Sequence, residues 1–589
     1  PRAMVEGLDG GRAALKLLSG TLSPSIGKSW PLWLAPLAFL GLFYFYPMAS
    51  ILQISLARSQ EGFMAPFIEA LTSPSILKVL RFTIWQATLS TLLTLTMGLP
   101  GAFLLARYQF RGKSLLLALT GVSFVLPTLV VAAAFNAILG PRGWVNLILM
   151  GLFDLSQPPI QFVNTFAAII TAHVFYNTTI VLRIVGDFWS HLDPRLTQAA
   201  QTLGANRWQT LIHVTIPLLM PAIATAALLI FIFDFTSFGV ILVLGGPRFA
   251  TLEVEIYNQT ISLFNLPLAA ALAFLQLAFT LALTIAYTRL SNRLARPLSL
   301  RPRRYVQRQL ISWRGRLLAA TYLALLLGLL TLPLIALVSR SFISVESRSE
   351  AASISNIRLT LDYYRELHIN RRDSLFFVPP TTAIGVSMTY ALITVMLALG
   401  LGLPAAWALA NDSASPLSRA FDPLLMLPLG TSAVTLGLGF IVALDHPPVD
   451  WRASPLLTPL AHTLVAFPFV VRSLTPALRS IRPRLRHAAA VLGASPLQAA
   501  RHVDLPLIGR ALLVAATFAF TISLGEFGAT ALVARPEYPT IPVMIYRFIS
   551  QPGALNYGQA LALSTILSLF TAVAMLAIER FRIADIGEF

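Results

Sequence analysis

The chain has 589 residues, 56% hydrophobic and 12% charged, with a net charge of +18 and a mean hydropathy of +0.73. Soluble domains do not put so few charges on so much apolar sequence, so the composition is that of a polytopic membrane protein. The absence of cysteine excludes disulfides, thiolate metal sites and a cysteine nucleophile.

Residues 1–30 carry Arg2, Arg12, Lys16 and Lys28 but no compact apolar core followed by a small-residue cleavage site. They read as a cytoplasmic segment, not a signal peptide. The chain begins with Pro1 rather than Met, so its natural start is expected upstream. A membrane span needs about 20 mostly apolar residues. Twelve segments meet that rule: 32–56, 80–106, 114–139, 162–185, 217–244, 268–290, 316–340, 381–410, 421–444, 456–478, 506–533 and 558–580. Pro127 and Pro428 fall inside these segments, where neighbouring helices are expected to satisfy the freed carbonyls.

Arginine placement orients the spans. The loop 107–113 (RYQFRGK) is basic, and the loop 289–316 has nine arginines and no acid. The loop 341–379 balances five arginines with five acidic residues. Basic loops alternate with the others as the positive-inside rule requires, placing both termini in the cytoplasm. The charge of +18 is therefore loop charge facing anionic lipid, and no nucleic-acid partner is expected. Four parts result: an N-terminal segment (1–30), a first half (31–290), a basic linker (291–315) and a second half (316–589).

The halves are repeats. LDPRLTQAAQTLGANRWQTLIHVTIPLL, from Leu192, returns 289 residues later as IRPRLRHAAAVLGASPLQAARHVDLPLI, from Ile481. The same offset pairs His173 with His462, Arg183 with Arg472, Phe238-Gly239 with Phe527-Gly528, and Thr251 with Thr540. Earlier, Gly98-Leu99-Pro100 corresponds to Gly402-Leu403-Pro404 with a different spacing. Equal orientation makes these parallel repeats, so the fold class is an all-α polytopic membrane protein of two six-helix halves.

Each polar copy should form a short helix after Pro194 or Pro483, a turn at Gly204 or Gly493, and a second segment running into the next span. A loop that merely caps the bundle is the plainer alternative, but plain loops drift and these two match. Both copies resemble the EAA loop of binding-protein-dependent ABC importer permeases: Glu-Ala-Ala, three residues, Gly, nine residues, a branched apolar residue, one residue, Leu-Pro. The first copy supplies Gln198-Ala199-Ala200, Gly204, Val214 and Ile216-Pro217, and the second His487-Ala488-Ala489, Gly493, Val503 and Leu505-Pro506. The glutamate is replaced in both. The resemblance implies coupling helices seated on two copies of a cytoplasmic ATPase, and an extracytoplasmic solute-binding protein. It implies a bacterial plasma (inner) membrane location and no covalent chemistry or cofactor in the chain itself. Fused two-half permeases are similar to thiamine-type and ferric-iron-type importers, and Ala172–Asn177 leans toward the thiamine type.

No phosphate-binding loop is present: Gly27-Lys28-Ser29 and Gly112-Lys113-Ser114 have Leu22 and Arg107 where the first glycine is needed. ATP hydrolysis is therefore expected on a separate subunit. Polar groups within spans mark pathway candidates. His173 and His462 sit near mid-span, either as a facing pair that touches solute or as hydrogen-bonding groups between helices. Asp234 and Glu526 either face a water-filled pathway or cap nearby amides. Two histidines without carboxylates at fixed spacing do not make a metal site. Arg183 and Arg472 read as snorkelling side chains. The rival from another class is an ion-coupled secondary transporter with two six-helix halves. The basic loop Gly-x-x-x-Asp-Arg/Lys-x-Gly-Arg-Arg common in that group is absent. A third reading is a structural or receptor-like membrane subunit.

Overall fold

The computed structural model describes residues 30–57, 64–294, 308–309, 312–345, 357–369, 378–411, 416–444, 451 and 454–581. The expected N-terminal segment, apart from Trp30, and most of the basic linker lie outside these residues. Among the described residues, ten helices are long and apolar enough to cross a membrane, and two bent pairs bring the number to twelve.

Four of the twelve expected spans are broken rather than continuous. The segment expected over 114–139 is a helix Lys113–Val125, a kink at Leu126-Pro127, and a second helix Thr128–Leu139. The segment 421–444 divides into Ser418–Gly430 and Ala433–Ala443, bent by 97°. Pro127, expected inside a helix, instead marks the first break, while Pro428 stays inside the last turn of Ser418–Gly430, just before the second. Proline lacks an amide proton and disfavours the α conformation in the preceding residue. The chain accepts the same residue inside a helix at Pro36, Pro100, Pro221, Pro333, Pro404 and Pro468. The segment 217–244 ends its long helix at Phe235 and resumes at Gly239. The segment 506–533 bends by 73° between Pro496–Leu507 and Gly509–Gly525, and stops at Gly525.

The repeat is visible atom by atom. Leu252, which opens one short helix, donates its amide to Thr83 Oγ1 at 3.0 Å. Ile541, 289 residues on, donates to Ser387 Oγ at 2.9 Å. A methyl group on Gly98 would lie 2.6 Å from Val181, and one on Gly402 would lie 2.6 Å from Val470. Only a hydrogen fits at either crossing. Two buried clusters are also the same cluster twice: Val181, Val185, Trp189, Leu192, Ala226 and Ile230 in one half, and Val470, Leu474, Leu478, Ile481, Ala515 and Ala519 in the other.

The first span of each half packs on the opposite half. Trp33, Phe39, Phe43 and Tyr44 from the helix Trp30–Ser55 share a buried cluster with Leu436, Phe440, Leu464 and Phe467. The Tyr44 hydroxyl bonds Thr431 Oγ1 at 2.7 Å. In return, the helix Trp313–Ser341 lies against the first half. Tyr322 donates to the Met97 carbonyl at 2.6 Å, and Trp144 Nε1 donates to Ser339 Oγ at 2.8 Å.

Candidate functional site

The two polar elements have one design. Helices Pro194–Thr202 and Pro483–Val491 begin on a proline in the first turn and bury no side chain. Each ends in a residue with left-handed backbone, Gly204 (φ +89°) and Gly493 (φ +83°). The amide of Ala205 then reaches the Ala200 carbonyl, and that of Ala494 the Ala489 carbonyl, both at 3.0 Å. This closes the helix end with the bond that a left-handed glycine permits. A reciprocal capping box starts the next helix in each copy, Asn206 with Gln209 and Ser495 with Gln498. Leu192 and Ile481 anchor the elements in the duplicated buried clusters.

Both elements present apolar side chains outward. Leu203 is 89% exposed and Trp208 72%, while Leu492 is 87% and Leu497 80% exposed. Apolar side chains held this openly beside exposed Gln198 and His487 suit a protein groove better than water. The elements differ in one support. Arg486 donates to Asp504 Oδ1 at 2.8 Å and to Asn411 Oδ1 at 2.5 Å. In register, Thr197 and Thr215 stand where the second half has Arg486 and Asp504.

Away from the polar elements, the helix breaks surround a cavity of about 370 Å³ between the halves. Its lining includes Leu126 and Thr128 from one proline break, and Ser432, Ala433 and Val434 from the other. Both Phe-Gly pairs reach it, and the rings of Phe238 and Phe527 stack 5.5 Å apart at 20°. Tyr257 and Tyr546, also equivalent, back these rings at 5.3 and 5.4 Å. The helix from Ile216 to Phe235 joins one polar element to the cavity wall. Its 20 residues rise about 30 Å.

The intramembrane histidines do not bond each other; each lies beside an acid and bonds a serine of its own half. His173 Nδ1 lies 3.4 Å from Asp234 Oδ1, and its Nε2 lies 2.9 Å from Ser237 Oγ. His462 Nδ1 lies 2.7 Å from Ser523 Oγ, and its Nε2 lies 3.3 Å from Glu526 Oε2 and 2.8 Å from Thr530 Oγ1. Ser523 occupies the register position of Asp234, and Glu526 that of Ser237. The ring nitrogens keep their places while acid and serine exchange theirs. His173 and Asp234 line the cavity, whereas His462 and Glu526 are not among its lining residues. The Glu526 carboxylate instead accepts from the amides of Ala529 and Thr530, at 2.8 and 3.0 Å, capping the turn after the broken helix. Arg183 is half-buried in a turn of its helix and Arg472 is exposed.

One acid was not singled out in the sequence. Glu253 lines the cavity and is 1% exposed. It accepts from Gln276 Nε2 at 2.6 Å and from Ser432 Oγ of the second half at 2.5 Å. Its register position in the second half is Pro542, so comparison of the repeats passes over it. Its signal was an acid next to Thr251-Leu252, a segment the repeat does mark. Among the described residues no three His, Cys, Asp or Glu side chains converge as metal ligands.

Known proteins resemble this chain over most of its length. The thiamine transport system permease protein of Brucella abortus (strain 2308) is 28% identical over 508 residues, covering 85% of this chain and 87% of its own. The Escherichia coli (strain K12) thiamine transport system permease protein is 27% identical over 498 residues, covering 81% and 85%. A probable ABC transporter permease protein of Sinorhizobium fredii is 25% identical over 566 residues, covering 93% and 95%. The family described as binding-protein-dependent transport system inner membrane component matches twice, over residues 98–296 and 398–582, once in each half. The chain therefore belongs to the binding-protein-dependent transport system inner membrane components, as a fused permease carrying both copies of the domain.

Proposed function

We propose that this permease imports thiamine, powered by two copies of a cytoplasmic ABC ATPase and supplied by an extracytoplasmic solute-binding protein. The observation that carries the importer reading is the pair of capped helices with unburied faces, each linked through the membrane to a cavity between the halves. The thiamine permeases that resemble the chain over most of its length support the substrate. So does the aromatic lining of the cavity, which suits a flat heteroaromatic cation better than a hard ferric ion.

In this reading both termini and the coupling residues Gln198, Ala199, Ala200, Gly204 and Pro217, with His487, Ala488, Ala489, Gly493 and Pro506, face the cytoplasm. Residues 31–290 and 316–589 act as the moving bodies, joined by the linker 291–315. ATP binding closes the ATPase dimer and draws helices Pro194–Thr202 and Pro483–Val491 together. The helix Arg207–Phe235 passes that displacement to the wall bearing Asp234. Access to the cavity alternates as the halves rock. His173 and Asp234 touch the pathway, and His462 and Glu526 hold the corresponding turn in the second half.

The test is ATP hydrolysis by the reconstituted complex. Binding protein loaded with thiamine should stimulate it, and binding protein offered ferric iron should not. Uptake that follows a proton gradient with no ATPase subunit attached would overturn the reading in favour of an ion-coupled transporter.

A further inference from the structure

The two walls of the cavity are chemically unequal. Asp234 lines it at 1% exposure, with Oδ1 accepting from Asn177 at 2.6 Å; the buried Ser90 hydroxyl lies beside the carboxylate, but no hydrogen bond closes on Oδ2. Tyr176 lines the same space, and its buried hydroxyl has no partner either. Glu253 adds a second acid from the first half, with both oxygens held by neighbours. The second half offers no counterpart. Ser523 stands in register with Asp234, Pro542 with Glu253, Ala466 with Asn177 and Val465 with Tyr176. Its acid, Glu526, spends both oxygens on the amides and hydroxyl of its own turn, with His462 beside Oε2 at 3.3 Å, away from the cavity. What the second half contributes is the Phe527 ring, the uncharged Ser432, Ala433 and Val434, and the backbone at Gly525 and Gly528.

A buried carboxylate oxygen without a donor is costly to keep. Here it borders a space of about 370 Å³. Pockets that hold small molecules begin at about that size and place a few polar groups among apolar and aromatic walls. The rings of Phe238 and Phe527 border the space, and aromatic rings attract cations.

We propose that the cavity is a one-sided binding site for a flat, singly charged heteroaromatic cation. Asp234 is the counter-ion, Tyr176 a hydrogen-bonding partner, and the Phe238–Phe527 pair the aromatic wall. The second half supplies a ring and no charge. The proposal rests on the importer reading above and says how its cavity recognises the solute.

The experiment uses the permease–ATPase complex in nanodiscs, without nucleotide or binding protein. The probes are radiolabelled thiamine, a simple N-benzylthiazolium ion, and the uncharged aminopyrimidine alcohol that corresponds to the other ring of thiamine. Asp234→Asn should weaken both cationic probes about tenfold or more, the loss of a charge-assisted contact, and leave the neutral one within about twofold. Tyr176→Phe should weaken thiamine about threefold, and it keeps the test open if Asp234→Asn fails to assemble. Glu526→Gln should leave thiamine affinity within about threefold, because that acid contacts its own turn and His462, neither of which brings it to the cavity. Equal affinity of Asp234→Asn and wild type for the cations, or an equal loss in Glu526→Gln, overturns the site. Thiamine-stimulated ATP hydrolysis reports separately on the importer reading. Stimulation without direct cation binding removes the site and spares that reading; thiazolium binding without stimulation does the reverse.

Discussion

Replacing Gly204 and Gly493 by aspartate separates docking from folding. A methyl group at either position meets no atom within 4 Å, so there is space for any side chain in the free permease. The cost inside the chain is backbone strain alone. A residue other than glycine held at φ near +85° loses about 1–2 kcal/mol, and aspartate sits at the low end because it can enter the left-handed region. Against a partner groove the cost is larger. Each aspartate brings a carboxylate into a surface built from Leu203 and Trp208, or from Leu492 and Leu497. An unpaired charge buried there costs about 3 kcal/mol, a loss of ~100-fold in affinity per site. Gly204→Ala with Gly493→Ala carries the strain without the charge and should lose ~30-fold at most per site. The assay is titration of the purified ATPase subunit onto detergent-solubilised permease, beside ATP-driven thiamine uptake in proteoliposomes. The double aspartate variant should insert and purify normally yet neither bind the ATPase nor transport. Binding within about threefold of wild type, with normal uptake, would refute the docking role.

Other substitutions probe the frame around these sites. Gly98→Ala should lower stability by about 1–3 kcal/mol through its clash with Val181, and Val181→Ala should restore part of that, read as thermal unfolding in detergent. Gly402→Ala should behave alike against Val470. Thr83→Val leaves the Leu252 amide without its acceptor and should cost about 1–2 kcal/mol; Ser387→Ala should cost the same at Ile541. Arg486→Ala strands Asp504, which is 1% exposed, and should cost about 2 kcal/mol, recovered when Asp504 also becomes alanine. A Thr197→Ala variant, at the equivalent place in the first half, should show no such loss.

The parts of this molecule that were legible in its sequence are those set by local chemistry. Proline at the start of a helix and glycine at its end specify the polar elements without distant partners, and the structure has them at those residues and adds a capping pair after each. The number of spans followed from apolar length. Where the spans break did not, because hydropathy stays high through Leu126, Phe235, Leu427 and Gly525 while the backbone turns. Pro127 and Pro428 held the signal, yet proline also sits inside uninterrupted helices such as Pro74–Arg107. The exchange of acid and serine around His173 and His462 was out of reach by aligning residues alone. An acid three positions out of register looks like a mismatch until both flanking positions are seen to face one imidazole. Glu253 was hidden for another reason, since its partner Ser432 lies 179 residues away in the other half.

The crossing of the first helices sets a timetable for biogenesis. Tyr44 leaves the ribosome 387 residues before Thr431, the group that satisfies its hydroxyl. At 5–20 residues per second, that is a wait of roughly 20–80 s. During it the helix Trp30–Ser55 must stay in the bilayer with Trp33, Phe39 and Phe43 facing lipid or an insertion chaperone. This helix is thus made long before the second-half side chains it docks on, and its docking reports that the second half has been threaded. Cutting the linker afterwards would leave two pieces still clasped by each other's first helix, so the covalent join serves synthesis more than cohesion.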